Sequence, residues 1–135
     1  MRTLLISIGN DLRGDDGVAH EVLKLLGPRP GCDFRAILQL TPELAADIGD
    51  YSEVIFIDAD VQASEVELNE LRKAGQAYSH SVGPGEVIEL ARGLYGFFGR
   101  AFVLRIPVRD LSFRQGMSSD ALALQAVTQL VNYLS

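Results

Sequence analysis

The sequence predicts an α/β fold, with a mainly parallel, twisted sheet of about five strands and helices on both faces. Apolar runs of strand length alternate with helical periodicities along all 135 residues. Several runs stop at Gly, Asp or Pro, as buried strands often do. Parallel strands need crossover connections, so the alternation favours a helix between consecutive strands. No repeat or linker interrupts the pattern, and we expect a single domain over residues 1–135.

Three apolar runs in the first half of the chain predict strands, at 4–8, 34–38 and 54–57. The third is uninterrupted, β-branched and aromatic, and we expect it to stop at Asp58. Residues 18–26 place apolar side chains on one helical face, and Gly27-Pro28 ends that helix. A second helix opens at Thr41-Pro42-Glu43, where Thr can cap, Pro suits the first turn and Glu favours the positive end of the dipole.

The middle of the chain contains a weaker strand signal and a strong helix start. Residues 65–71 alternate apolar and polar side chains, which predicts an edge strand without excluding a helical turn. Pro84 suits the first turn of a helix, with Gly83 at its N-cap. Glu86 is placed to reach back and complete a capping box.

The chain ends with one further strand and one further helix. Residues 102–106 form an apolar run that Pro107 closes. Ser118 or Ser119 then caps a helix whose apolar residues recur at helical spacing. These elements complete the alternating order on which the predicted fold rests.

The composition excludes several partners and locations. The chain has 12 Lys and Arg against 18 Asp and Glu, a net charge of -6, and no basic stripe. Nucleic acid and anionic membranes demand clustered positive charge, so we expect neither as a partner. The single cysteine, Cys32, cannot form an internal disulfide, and we interpret it as a small residue near a strand start. Lacking a signal peptide or a run of membrane-spanning length, the protein is expected to be cytoplasmic.

Two acidic clusters follow predicted strands. One lies in the loop 9–17, which contains Asp15 and Asp16, and the other is Asp58-Ala59-Asp60, in which the sequence assigns no role to Asp60. Doubly wound sheets bind ligands beyond the carboxyl ends of their strands, so Asp16 and Asp58 are expected to approach each other. Two carboxylates in one crevice repel each other unless a proton or a cation lies between them. With an imidazole added, the set suits a borderline divalent metal such as nickel or zinc.

The chain offers two imidazoles, His20 and His80. His20 lies one helical turn past Asp16, and a solvent-facing position accounts for it without any site. His80 stands just before the helix at Pro84, in the kind of loop that commonly builds sites, and is the better ligand candidate. Simple structural roles compete with this interpretation: the aspartates can be helix caps or turn residues, and His80 a surface residue.

Signatures of other chemistries are missing from the sequence. The loop 9–17 is neither Gly-x-Gly-x-x-Gly nor a phosphate-binding P-loop, and its adjacent carboxylates would repel a phosphate. No Gly-x-Ser-x-Gly elbow and no His-Glu-x-x-His motif occurs. A nucleotide- or flavin-binding domain therefore remains only as a weaker alternative.

Three motifs resemble those of a known family. They are Gly-Asn-Asp-Leu-Arg-Gly-Asp-Asp-Gly at 9–17, an apolar strand ending in Asp-Ala at 54–59, and Ser-His-Ser-Val-Gly-Pro at 79–84. In this order, and with a likeness that covers nearly the whole chain, they resemble the hydrogenase maturation endopeptidases. Ala19 departs from the family pattern, which often has a second Gly there.

The resemblance implies a function and a set of site residues. Asp16, Asp58 and His80 would contact nickel and carry the catalytic role, with the nickel supplied by the substrate and no permanent metal in the enzyme. The partner would be a hydrogenase large-subunit precursor, whose C-terminal extension is cut off, and we expect the enzyme to be a monomer. A nickel-recognising binding module without peptidase activity is the alternative.

Overall fold

A mixed sheet flanked by helices occupies the part of the chain that the computed structural model describes, residues 2–9, 17–71, 83–108 and 118–135, with the side chains of the last segment from residue 121. In chain order the elements are β1 (Thr3–Ile8), α1 (Val18–Leu26), β2 (Cys32–Ile37), α2 (Leu44–Ile48), β3 (Glu53–Asp60), β4 (Glu67–Glu70), α3 (Pro84–Leu94), β5 (Arg100–Pro107) and α4 (Ser118–Leu134). Among these, no helix is both long and apolar enough to cross a membrane.

The five described strands lie in the order β2-β1-β3-β5-β4. The strands β2, β1, β3 and β5 are parallel to one another, while β4 pairs antiparallel with β5 at one edge. The predicted fold class, a mainly parallel sheet of about five strands, is confirmed. The edge strand predicted around residues 65–71 is β4, and the alternative of a helical turn there is wrong.

Successive side chains of each strand point to opposite faces of the sheet, and both faces are covered. In β1, Leu5 packs with α1 and α4, whereas Leu4 and Ile6 pack with α2 and α3. The same alternation separates Ile55 from Phe56 in β3. The predicted helices on both faces are therefore confirmed, and each face has its own apolar core.

The predicted ends of two helices rest on identifiable contacts. Gly27 ends α1 with a φ of 70°, a conformation that favours glycine, and its N–H donates to the carbonyl of Leu23 at 3.1 Å. At the start of α3, the backbone N–H of Gly83 donates to Oε1 of Glu86 at 2.7 Å. This is the predicted capping-box contact, and Pro84 occupies the first turn as expected.

Predicted boundaries are wrong in several elements. The strand β2 spans Cys32–Ile37 rather than 34–38, and β5 spans Arg100–Pro107 rather than 102–106. The strand β3 does not stop at Asp58 but continues to Asp60, because β5 pairs alongside it as far as Pro107. The helix α2 begins at Leu44 with Glu43 at its N-cap, and no side chain caps it. Thr41 instead lies in a turn, where its carbonyl accepts the N–H of Leu44 at 3.2 Å. α4 begins at Ser118 itself, so neither Ser118 nor Ser119 is its N-cap as predicted, and the residue before the helix lies outside the described residues.

Tyr133, near the end of α4, ties that helix to the sheet. Its hydroxyl donates to the carboxylate of Glu53, which also accepts a hydrogen bond from Oγ1 of Thr3 at 3.1 Å. Its ring lies 4.9 Å from that of Phe102, centroid to centroid. Burial, followed by the bond to Glu53, raises the pKa of Tyr133 from 10.0 to about 12.

The raised pKa of Tyr133 predicts a specific dependence of stability on alkaline pH. Because the folded state holds this proton more tightly than the unfolded state, the contribution is present below pH 10 and is lost as the pH rises through about 12. Thermal melting from about pH 9 to pH 12 is expected to show a smaller alkaline fall in Tm for Tyr133→Phe than for the unmodified protein.

Tyr95→Phe is the matched control, because Tyr95 lies exposed just after α3. The control is expected to follow the unmodified protein across the alkaline range. Equal alkaline losses in the Tyr133→Phe variant and the unmodified protein would contradict the role assigned to the contact with Glu53.

Candidate functional site

The strand order reverses direction between β1 and β3, and this point marks the most favourable ligand site of a doubly wound sheet. From β1 the chain crosses to β2 on one side, whereas β3 leads towards β5 on the other. At the carboxyl edge, Asp58 lies opposite Ile8 in β1 and Arg105 in β5. The structure therefore places Asp58 at the switch point, near the carboxyl end of β3, as the sequence-based argument expects.

The side chain of Asp58 is directed to one face of the sheet. Val54 and Phe56 belong to the core beneath α2 and α3, so the alternation of the strand places Asp58 on the same side. Asp58 is half-buried there. The helix α3 packs on this face and begins at the carboxyl edge, because β5 follows it from the opposite edge, where Arg100 pairs with Glu53. The N-terminal end of α3, which carries a partial positive charge, therefore lies at the same edge as Asp58, where it favours a negative charge.

Asp60, to which the sequence assigns no role, orders the turn after β3. Its Oδ1 accepts the backbone N–H of Gln62 at 2.8 Å, and its Oδ2 lies 3.7 Å from Nε of Arg105. Both partners of that ion pair are partly exposed, so the pair contributes at most about 1 kcal/mol. Asp60 thus has a structural explanation that does not require a ligand.

Of the three predicted site residues, the structure describes Asp58 alone. Asp16 and His80 lie outside the described residues, and their predicted convergence on Asp58 stays a prediction. Their described neighbours do start helices at the carboxyl edge: Gly17 precedes α1, and Gly83 precedes α3. Within the described ranges, no group of three His, Cys, Asp or Glu side chains is placed to hold a metal ion.

His20 does not face solvent, and that expectation is wrong. The ring is half-buried between α1 and β1, where Nδ1 lies 2.6 Å from Oγ of Ser7 and Nε2 lies 2.7 Å from the carbonyl oxygen of Gly9. Ser7 is a polar residue with no exposed surface, and its neighbours in residues 4–8 of the strand are all apolar. A buried hydroxyl requires a partner, and this requirement is the signal in the sequence that points to His20.

Cavities also occur at the amino edge of the sheet, opposite the switch point. One of about 650 Å³ is lined by Tyr51, Glu53 and Arg100 among others, and one of about 390 Å³ reaches Cys32. Cys32 is half-buried at the first position of β2, which confirms its interpretation as a residue at a strand start. Burial raises the pKa of its thiol, which makes it a poor nucleophile.

These features define a class: a doubly wound α/β protein with a carboxylate at its switch point. The structure matches solved structures of hydrogenase maturation proteases over essentially the whole chain. The peptidase for hydrogenase 2 from a Thaumarchaeota archaeon shares 23% identity at a TM-score of 0.72, with 100% of this chain and 99% of that chain covered. The hydrogenase maturating endopeptidase HybD from E. coli shares 16% identity at a TM-score of 0.73, with 99% and 92% covered.

A third solved structure agrees with these two. The [NiFe] hydrogenase maturation protease HycI from Thermococcus kodakarensis shares 18% identity at a TM-score of 0.68, and the match covers 97% of this chain and 90% of that one. No protein-family model matches the sequence, and no curated protein matches it either. The chain therefore has the fold of the hydrogenase maturation proteases, which confirms the fold that the sequence motifs imply.

Proposed function

We propose that this protein is a hydrogenase maturation endopeptidase, which removes the C-terminal extension of a nickel-loaded hydrogenase large-subunit precursor. The observation that carries the proposal is the position of Asp58 at the switch point, on the strand next to β1. Two further facts support it. The fold is shared along the whole chain with proteases of this kind, and the three sequence motifs occur in the order that the family has.

In this proposal Asp16, Asp58 and His80 contact a nickel ion that belongs to the substrate. Two carboxylates and an imidazole are a suitable donor set for such a borderline cation. The described neighbours of Asp16 and His80 begin α1 and α3 at the same edge of the sheet as Asp58, which is consistent with a shared site. We propose no permanent metal in the enzyme, because the precursor brings its own.

The nickel can contribute to cleavage in either of two ways. As a Lewis acid it would polarise the scissile carbonyl or lower the pKa of a water, and one carboxylate would accept the proton as general base. As a docking element it would hold the precursor so that the extension lies in the crevice, and positioning would supply most of the rate. In both cases the aspartates and the imidazole recognise a metal-loaded substrate and leave an empty one uncut.

The proposal predicts that cleavage depends on nickel in the precursor. Mixed with the purified protein, a nickel-loaded precursor is expected to lose the mass of its C-terminal extension, while the same precursor without nickel keeps its full mass. Intact-mass spectrometry of both reactions measures this directly. Gel filtration of the enzyme tests the accompanying prediction of a monomer.

The rival functions predict different outcomes in binding and melting measurements with the same precursor. A nickel-recognising binding module would co-elute with the loaded precursor and leave its mass unchanged. A nucleotide- or flavin-binding domain would show a thermal shift with nucleotide and none with the loaded precursor. Cleavage that is equally fast without nickel would support the proposed peptidase activity and contradict the proposal that the enzyme recognises its substrate through nickel.

A further inference from the structure

His20 makes two hydrogen bonds with defined directions at the end of β1. The carbonyl of Gly9 can only accept, so Nε2 of His20 carries the proton and donates to it at 2.7 Å. In the neutral ring, Nδ1 is then an acceptor, and the hydroxyl of Ser7 donates to it at 2.6 Å. The Gly9 carbonyl thereby fixes the tautomer of His20, and the Ser7 hydroxyl, which can donate or accept, adapts to it.

Both backbone polar groups of Gly9 are hydrogen-bonded, one to β2 and the other to α1. Its N–H donates to the carbonyl of Ile37 in β2 at 3.0 Å, and its carbonyl accepts from His20 in α1. Gly9 follows Ile8, which pairs with Asp58 across the switch point. The orientation of the Gly9 carbonyl fixes the direction in which the chain leaves β1, next to the strand that carries Asp58.

We infer that His20 is a positioning residue for the reaction, and that it acts by fixing the Gly9 carbonyl at the carboxyl end of β1, next to the strand that carries Asp58. The inference rests on the proposed function, in which the chain beyond Gly9 leads to Asp16. The segment from β1 to α1 starts after Gly9 and ends at α1. His20 links its two ends, because it lies in the first turn of α1 and its ring bonds to the carbonyl of Gly9.

The pair of Ser7 and His20 is not a nucleophile with its base. The Ser7 hydroxyl has no exposed surface and lies beneath α1, so no substrate carbonyl can reach it. The remaining alternative is that His20 serves packing alone, by satisfying the buried hydroxyl of Ser7. The two roles depend on different ring nitrogens, and this difference makes them separable.

Two amide substitutions divide the functions of the ring. The amide nitrogen of Gln reaches about as far as Nε2, so His20→Gln keeps a donor for Gly9. The amide of Asn reaches about as far as Nδ1, so His20→Asn keeps a partner for Ser7 and loses the donor to Gly9. Positioning therefore predicts that Gln is the better replacement, whereas packing alone predicts that Asn is.

The experiment compares both variants with the unmodified protein in cleavage of the nickel-loaded precursor. We expect kcat to stay within about threefold for His20→Gln and to fall between about 10- and 100-fold for His20→Asn, because small displacements of reacting groups cost rate steeply. Ser7→Ala retains the donor to Gly9 and is expected to stay within about threefold as well. Equal rates for the two His20 variants, or a loss in Ser7→Ala as large as that in His20→Asn, would overturn the inference.

A second measurement is independent of cleavage. Amide exchange of Gly9, followed by NMR, reports the hydrogen bond from its N–H to Ile37. The exchange rate is expected to rise about tenfold or more in His20→Asn but not in His20→Gln. Equal exchange in both variants would mean that the hydrogen bond from His20 does not hold Gly9 in place. If the unmodified protein does not cut the precursor, the proposed function fails, while the exchange of Gly9 still decides whether His20 fixes the end of β1.

Discussion

Replacing Asp58 with Asn is expected to abolish removal of the C-terminal extension, with a loss of at least about 100-fold in kcat/KM. The substitution keeps the size of the side chain and removes its negative charge at the switch point. Without that charge the site loses one of the proposed contacts to the nickel of the precursor, and the general base if Asp58 serves as one. The rate is measured by intact-mass spectrometry of the loaded precursor, and melting of the variant verifies that it is folded.

Asp60→Asn is the matched control for this prediction, because Asp60 lies two residues further along β3 on the same face. Its contacts to Gln62 and Arg105 are structural, so we expect kcat/KM to change less than about fivefold. Asp16→Ala and His80→Ala are expected to behave like Asp58→Asn. If Asp58→Asn cuts the loaded precursor at the rate of the Asp60 variant, the proposed site is wrong.

The fold was predictable because strand and helix periodicities alternate and their ends carry strong local signals. Gly27 and Pro84 act through their own backbone geometry, so neighbouring sequence is sufficient to place them. The end of β3 was not predictable in this way. Asp58 looks like a strand end when read alone, but β5 supplies backbone partners as far as Asp60, and those partners are more than 40 residues away in the chain.

The residues of the candidate site also differ in whether local sequence is sufficient to predict their positions. The position of Asp58 could be predicted because a polar residue that follows a buried apolar run falls near the carboxyl edge by topology. His20 could not be assigned from helical periodicity, since that pattern does not identify the strand residue beneath the ring. Ser7 carries the missing information: a hydroxyl within a run of buried apolar residues demands a partner from an adjacent element.

The second large effect is expected at Gly99, directly before β5. Arg100 donates its N–H to the carbonyl of Ser52 at 3.2 Å, and this contact brings Gly99 against the same peptide. A Cβ at Gly99 would overlap the Ser52 carbonyl oxygen and lie 2.5 Å from the Ser52 carbonyl carbon and 2.9 Å from Cε1 of Phe97. Backbone and a fully buried ring cannot yield as a flexible side chain can.

Gly99→Ala is therefore expected to destabilise the protein by about 3 kcal/mol, near the upper end of overpacking costs, and to lower Tm by roughly 10 °C. Gly93→Ala is the matched control, because Gly93 lies in α3 with nothing within 4 Å of an added Cβ. Alanine there is expected to raise stability by about 0.5–1 kcal/mol through its higher helix propensity. Urea unfolding of both variants measures the difference. A Gly99→Ala protein as stable as the Gly93→Ala protein would mean that β5 does not begin against Ser52, and with it the register that places Arg105 beside Asp58 would be in error.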